Sequence, residues 1–343
     1  MPPAHHKFHM TKRRLIVVLV LFAALACWAQ EKSTFTSQTN LVSVPTLVLN
    51  GEGKTIDGLH AQDFVIEDEG VEQKALLEYD PDVRPISLMI AVQCGRRAQR
   101  EYGRISTLGS MLDPVLAGPD TEAAVLYFDN NLNLIQDFSK NSEDTEEKLK
   151  AFPSGDGGAA ILDAVAYSAR LLSRRSPERQ RVLLLISETR DHGSKFTKFD
   201  ELLPLIGGNN ISVYTLPFSP YRSQQLDVLR GSNRDEWAPA IDILSKLEDI
   251  HQAMRKNTPK ALASITGGEY EGFITHSAFE SDMLDFTNHL YSRYWLSFSP
   301  KDPHVGLHQI RVRLRDPKAG ERLVFRTSYW VAEGDSDQPQ AAR

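Results

Sequence analysis

Cysteine is almost absent from the chain: two occur in 343 residues, Cys27 and Cys94. Cys27 falls in an N-terminal segment that reads as removable, so one thiol remains and an internal disulfide is excluded. A positive surplus is lacking as well. Lys and Arg total 39 against 45 Asp and Glu, a formal charge of −6. An acidic surface repels phosphate backbones and anionic lipid, which argues against nucleic acid and membrane surfaces as general partners. The apolar run Leu15 to Ala26 falls short of the roughly 20 residues that a bilayer-spanning helix needs. A Walker phosphate loop and a Gly-x-Ser-x-Gly nucleophile elbow are both missing, so neither a phosphate cradle nor an acyl-transfer serine is visible. The remaining composition, 41% hydrophobic and 24% charged, is that of a soluble globular protein with room for one large or two modest domains.

The N-terminus has its own logic. Lys12-Arg13-Arg14 precede the run Leu15 to Ala26, and Cys27-Trp28-Ala29-Gln30 follow. A basic start, a short apolar middle and small residues near a cut describe a secretory signal peptide over residues 1–29, with translation starting at Met1 or Met10. A second reading is a lipoprotein anchored at Cys27, because Ala24-Leu25-Ala26-Cys27 loosely fits a lipobox with Leu out of place. Either route implies a secreted or periplasmic location. Cleavage at Ala29 removes Lys7, Lys12, Arg13 and Arg14 and no acid; 39 less four leaves 35 basic residues against 45 acidic, a charge of −10.

Residues 30–40 are a polar linker. Over residues 41–82 the pattern is that of a small β module. The run Leu41 to Leu49 closes on Asn50-Gly51, a pair that favours hairpins because both residues tolerate positive φ. Residues 83–292 then alternate strands with helices, which predicts βαβ units and a mostly parallel sheet. The strands are Ile86 to Val92, Ala123 to Phe128, the short edge strand Leu132 to Ile135, Val182 to Ile186, Ile211 to Leu216 and Tyr270 to Ile274. The helices are Arg104 to Ala117, Ser142 to Lys150, Ala160 to Leu172, Phe199 to Ile206, one long or broken helix Ile241 to Ile265 ending at Gly267-Gly268, and Ser277 to Tyr291. From Tyr294 the period returns to two. Ile310, Val312 and Leu314 alternate with Arg311, Arg313 and Arg315, which reads as the solvated face of an antiparallel sheet. Leu323 to Val331 is a final strand. Residues 293–332 are therefore expected to pack with the N-terminal module in an accessory β-sandwich, ahead of a loose tail over 333–343.

The apolar stretch Pro85 to Val92 ends abruptly at Gln93-Cys94-Gly95-Arg96-Arg97, and in open α/β sheets the ligand crevice lies beyond such carboxyl ends. This stretch resembles the first strand and metal loop of a von Willebrand factor type A domain. Further phrases resemble the VWFA-related Acidobacterial domain family across nearly the whole mature chain: Gly58-Leu59-x-x-x-Asp63-Phe64-x-Ile66-x-Asp68, Pro85-Ile-Ser-Leu, Gly157-Gly158-Ala159-Ala160-Ile161-Leu162-Asp163-Ala164, Val182-Leu-Leu-Leu-Ile-Ser-Glu188, Thr266-Gly267-Gly268 and Tyr294-x-Leu296-x-Phe298-x-Pro300. The resemblance implies a Rossmann-like α/β fold and a metal-ion-dependent adhesion site. That site offers oxygen ligands from three loops, since a hard cation such as Mg²⁺ demands them.

In this chain the implied site is degenerate. Where the family has Asp-x-Ser-x-Ser, Gln93 offers a neutral amide, Gly95 offers nothing and Arg97 brings a positive charge. Ala159 stands where a Thr hydroxyl is expected. Glu188 is the remaining carboxylate of the third loop, with Asp191 close behind. No metal and no cofactor are expected. Two arrangements remain open: Arg96 or Arg97 turns towards Glu188 or Asp191 and replaces the cation's charge with a guanidinium, or both point to water.

Other chemistry is weaker. Gly155-Asp156-Gly157-Gly158-x-Ala160 matches a dinucleotide fingerprint but follows no strand. His304 and His308, if extended, lie roughly 13 Å apart, too far to share an ion. Asp191, His192 and Ser194 are adjacent in sequence, which is not triad geometry. The leading reading is a non-catalytic, metal-independent interaction module that takes a protein or cell-surface partner, with the rim Gln93, Gly95, Arg96, Arg97, Ala159, Glu188 and Asp191 as its candidate contact. The alternatives are metal-dependent adhesion through a residual site, and an enzyme using Cys94, His192 and Asp191.

Overall fold

The computed structural model describes residues 41–78, 84–96, 98–218, 247–273 and 275–333. The signal peptide with Cys27, the linker, Arg97, residues 241–246 of the long helix and residues 334–343 of the tail lie outside the described residues. In chain order come β1 (Val42–Leu49), β2 (Phe64–Asp68), β3 (Val71–Gln73), β4 (Leu76–Glu78), β5 (Ile86–Gln93), α1 (Leu108–Leu116), β6 (Glu122–Phe128) and β7 (Leu132–Ser139). They are followed by α2 (Ser142–Lys148), α3 (Ile161–Ser173), β8 (Gln180–Ser187), α4 (Phe199–Gly208), β9 (Ile211–Pro217), α5 (Leu247–Lys256), α6 (Thr258–Thr266) and α7 (His276–Tyr291). The last four elements are β10 (Tyr294–Phe298), β11 (Gly306–Leu314), β12 (Arg322–Val324) and β13 (Ser328–Val331).

The central sheet has the order β7-β6-β5-β8-β9, parallel except for the antiparallel edge strand β7. All eight residues of β5 are buried, as an apolar run flanked by strands and covered on both faces must be. Its side chains alternate between two cores. Leu88, Ile90 and Val92 meet Leu108 and Leu112 of α1 and Phe279 and Met283 of α7. Met89 and Ala91 meet Ala164 and Val165 of α3, Leu202 of α4 and Leu262 of α6. The result is the Rossmann-like, mostly parallel sheet flanked by helices that the resemblance implies.

Strands from both ends of the chain build two antiparallel sheets, β12-β1-β10-β4 and β13-β11-β2-β3. They share one core in which Val44 and Val48 meet Phe64, Ile66, Leu296, Ile310 and Val312. This is the accessory β-sandwich. The arginine row of β11 faces outward, where Arg313 pairs with Glu67 and Arg315 with Glu72.

Several expectations need correction. Leu323 to Val331 is not one strand: β12 and β13 belong to different sheets, and between them Arg326 is buried and donates to the carbonyls of Ser328 and Gly207. Tyr270 to Phe273 is no strand either. Tyr270 makes a single bridge to Thr215, supported by hydrogen bonds from Thr215 N to Glu269 O and from Glu271 N to Thr215 O. The turn at Asn50-Gly51 forms, but its far side is one bridge, Leu49 to Thr55, because β1 already has β10 and β12 as neighbours. The helix expected from Arg104 begins only at Leu108, after turns. The edge strand β7 runs on past Ile135 to Ser139. The long helix breaks at Asn257, whose side chain caps α6. Gly267 ends α6 at φ 75°, and a Cβ there would meet Arg326 N at 2.4 Å, so the glycine is required twice over. Among the described residues no helix is long and apolar enough to cross a membrane.

Candidate functional site

The carboxyl ends of β5, β6 and β8 lie side by side, since Gln93 pairs in register with Phe128, and Val92 with Ile186. The next residues along are therefore neighbours in space: Gln93 and Cys94, Asp129, and Glu188. Gln93 is 1% exposed and Glu188 3% exposed. The Gln93 amide nitrogen donates to Glu188 Oε1 at 3.2 Å and to Gly158 O at 3.3 Å, and its amide oxygen accepts from Glu188 N at 2.8 Å. The partners fix which end of the amide is which, because the flipped amide would set oxygen against oxygen. His192, in the loop after β8, reaches the other carboxylate oxygen: its Nε2 lies 3.1 Å from Glu188 Oε2.

The residues after α2 fold onto this clasp. Gly95 has φ 146°, and a Cβ there would stand 2.5 Å from Asp156 O. That close approach lets Arg96 N donate to Asp156 O at 2.8 Å. Asp129 accepts from Asp156 N at 2.9 Å and from Asn131 N at 2.7 Å. Asp156 in turn accepts from Gly158 N at 2.8 Å and from Asn130 Nδ2 at 2.7 Å. The Gly158 N–H, helped by Asn130, holds the Asp156 carboxyl below its usual range. Ala159 is buried, and its carbonyl accepts from His192 N at 3.1 Å.

A third group sits at the start of α3. Asp191 Oδ1 accepts from Leu162 N at 3.1 Å and from Ser194 Oγ at 2.6 Å. Asp163 accepts from Lys195 N at 2.7 Å and Thr197 N at 2.6 Å. These bonds satisfy amides that a helix start and a tight loop otherwise leave bare.

The expected site residues are thus partly united. Gln93, Gly95, Ala159 and Glu188 join one network through Gly158, Asp156 and His192, while Asp191 serves the α3 terminus. The guanidinium arrangement fails for Arg96, whose side chain is exposed and pairs with no carboxylate among the described residues; Arg97 lies outside them. Among the described residues the Gln93 amide and His192 bond the Glu188 carboxylate. The network also contains Asp129 and Asp156, which the sequence reading did not single out. Asp129 was legible in principle, since it directly follows a parallel strand, as Cys94 does.

The family's cation does not fit this donor set. Gln93 turns N–H towards Glu188, Gly95 and Ala159 offer no side-chain oxygen, and the remaining carboxylates are engaged by backbone amides, whereas Mg²⁺ demands several converging oxygens. Among the described residues no group of three or more His, Cys, Asp or Glu side chains is disposed to hold a metal. The nucleophilic trio is not assembled either, because Asp191 holds Ser194 while His192 faces Glu188. Cys94 is 2% exposed, and burial, reinforced by Asp129, pushes its thiol up to about 11, opposite to the shift a nucleophilic cysteine needs. The His304–His308 spacing is corrected: the rings stack 3.9 Å apart, because β11 begins only at Gly306 and His304 lies in the turn before it. His308 is committed to Asp68 and to the His304 carbonyl.

No protein-family model and no curated protein sequence matches the chain. Solved structures are similar to it at low identity. A von Willebrand factor type A structure from Catenulispora acidiphila is 11% identical, with 87% of this chain and 64% of that one covered and a TM-score of 0.43. Proximal thread matrix protein 1 from the mussel byssus is 14% identical, with a TM-score of 0.41. The match covers 64% of this chain and 49% of the mussel protein, so the chain spans about half the length of that neighbour. BatB from Bacteroides thetaiotaomicron is 12% identical over 60% of this chain and 98% of its own, with a TM-score of 0.40.

Proposed function

We propose that the chain is a secreted or envelope-associated interaction module of adhesion type, which binds a protein or cell-surface partner without catalysis and without a divalent cation. The supporting observation is the Gln93–Glu188 clasp. Where the resemblance implies a metal that joins three loops, one neutral side chain makes three hydrogen bonds and joins the same loops. The rim is then rigid before any partner arrives, which lowers the ordering cost of binding. Arg96, exposed beside this rim, supplies a positive contact on an acidic molecule. Secretion rests on the signal-peptide reading of residues 1–29, and the partner class rests on the type A resemblance.

The test is a pull-down from envelope extracts with the full chain, run with and without EDTA, beside calorimetry with Mg²⁺ and Mn²⁺. The expected result is a partner retained in EDTA and no saturable heat. A stoichiometric heat, or a partner lost on chelation, would overturn the metal-independent reading.

A further inference from the structure

The opposite end of the central sheet is built differently. A small cleft, with about 30 Å³ of room for water, lies between the amino ends of β8 and β9 and the sandwich strands β1 and β10. Four arginines line it, Arg84, Arg179, Arg181 and Arg293, together with Gln180 and Trp295; no Asp or Glu lines it among the described residues.

Its polar atoms are also unfinished. Gln180 Nε2, Arg181 Nε, Arg293 Nε and Trp295 Nε1 are all buried without a hydrogen-bond partner among the described residues. Every one of these atoms is a donor. Gln180 and Arg293 are 2% exposed and Trp295 is 8% exposed. Buried donors left unmatched are costly, and the residues that carry these four all line the cleft, which fits an acceptor-rich occupant. The charges point the same way. Arg84 has Glu78, Arg179 has Asp120 and Glu122, and Arg293 has Glu269. Arg181 has only the carbonyls of Asn209, Ser173 and Arg175, so its positive charge meets no carboxylate among the described residues. The cleft is also pre-shaped: Arg84 stacks on the Trp295 ring at 4.4 Å, and Arg293 sits 5.1 Å from the Tyr214 ring.

We propose that this cleft binds a small tetrahedral oxyanion of the phosphate class, either free or as the terminal group of a phosphate monoester. Such a group carries only acceptors and at least one negative charge, and guanidinium and indole N–H groups are matched to it. The proposal is independent of the rim at the other end of the sheet.

Calorimetry and thermal melting of the full chain with inorganic phosphate, phosphoserine, sulfate and chloride at matched ionic strength test it. The expected result is a saturable, one-to-one heat and a rise in melting temperature with phosphate or phosphoserine, and none with chloride. The stronger of the two phosphate ligands identifies the source. Trp295→Phe keeps the ring under Arg84 and removes one donor; it should weaken phosphate about tenfold while leaving the ligand-free melting temperature unchanged or raised. Arg181→Gln should weaken it at least as much. If that variant fails to fold, Trp295→Phe alone carries the test. Shifts that chloride reproduces, or a Trp295→Phe protein that binds phosphate as the parent does, would overturn the proposal.

Discussion

Two buried glutamines on adjacent strands show how differently the two ends of one sheet are finished. Gln93 closes β5, and all three of its hydrogen bonds are to groups at the carboxyl edge. Gln180 opens β8, is buried to nearly the same degree, and its amide nitrogen has no partner among the described residues. The residue type is the same, and the backbone environment is the same parallel sheet. The difference lies in what surrounds each amide. At the carboxyl edge, loops return with carboxylates and carbonyls, and the network is internally complete. At the amino edge the cleft is lined by arginines and an indole, and no Asp or Glu lines it among the described residues. A complete network makes a rigid structural rim, and an incomplete one marks a place for a ligand.

The comparison breaks first at Gln93. Gln93→Met preserves volume but takes away the donor to Glu188 Oε1 and the acceptor for Glu188 N, both in a buried setting. Removing one partner of a buried charge exacts its full desolvation, so a loss of about 3 kcal/mol is expected in equilibrium urea unfolding. A loss below about 1 kcal/mol would mean that the clasp is not what joins the loops. Next comes Gly95→Ala. The backbone there is at φ 146° with Asp156 O in the way, and strain of this kind costs about 2 kcal/mol. The effect should appear in the same assay, together with faster amide exchange at Arg96, whose N–H is held by Asp156.

How much of this was legible beforehand depends on whether the signal was local. The strand β5 was legible because eight buried residues in a row leave an unbroken apolar run. The sandwich was legible because period-two alternation returned after Tyr294. Gln93 was legible as a lost ligand, yet its partnership with Glu188 was not: the two are 95 positions apart, and nothing local announces which acceptor a glutamine will find. The single strand expected over Leu323 to Val331 failed for a related reason. Its apolar pattern is continuous, and only burial of Arg326 against Gly207 and Asn210 shows where the chain changes sheet. The histidine spacing failed because a strand rise was applied to a turn. The amino-end cleft left no sequence trace at all, since its lining comes from four strands and the end of α7.

The smallest effect is the one that sharpens the comparison. In the absence of phosphate-class anions, Gln180→Met removes a buried donor with no partner among the described residues and leaves the backbone bond from Gln180 N to Pro85 O intact. Stability should therefore stay within about 0.5 kcal/mol of the parent or rise slightly, because an apolar group of similar shape carries no unmet desolvation. The same substitution at Gln93 is expected to cost several times more. Equilibrium urea unfolding in an amine buffer, free of phosphate and sulfate, measures both variants side by side. A Gln180→Met loss as large as that of Gln93→Met would mean that the amino-end amide is satisfied in solution without an anion, and the two ends of the sheet would then be finished alike.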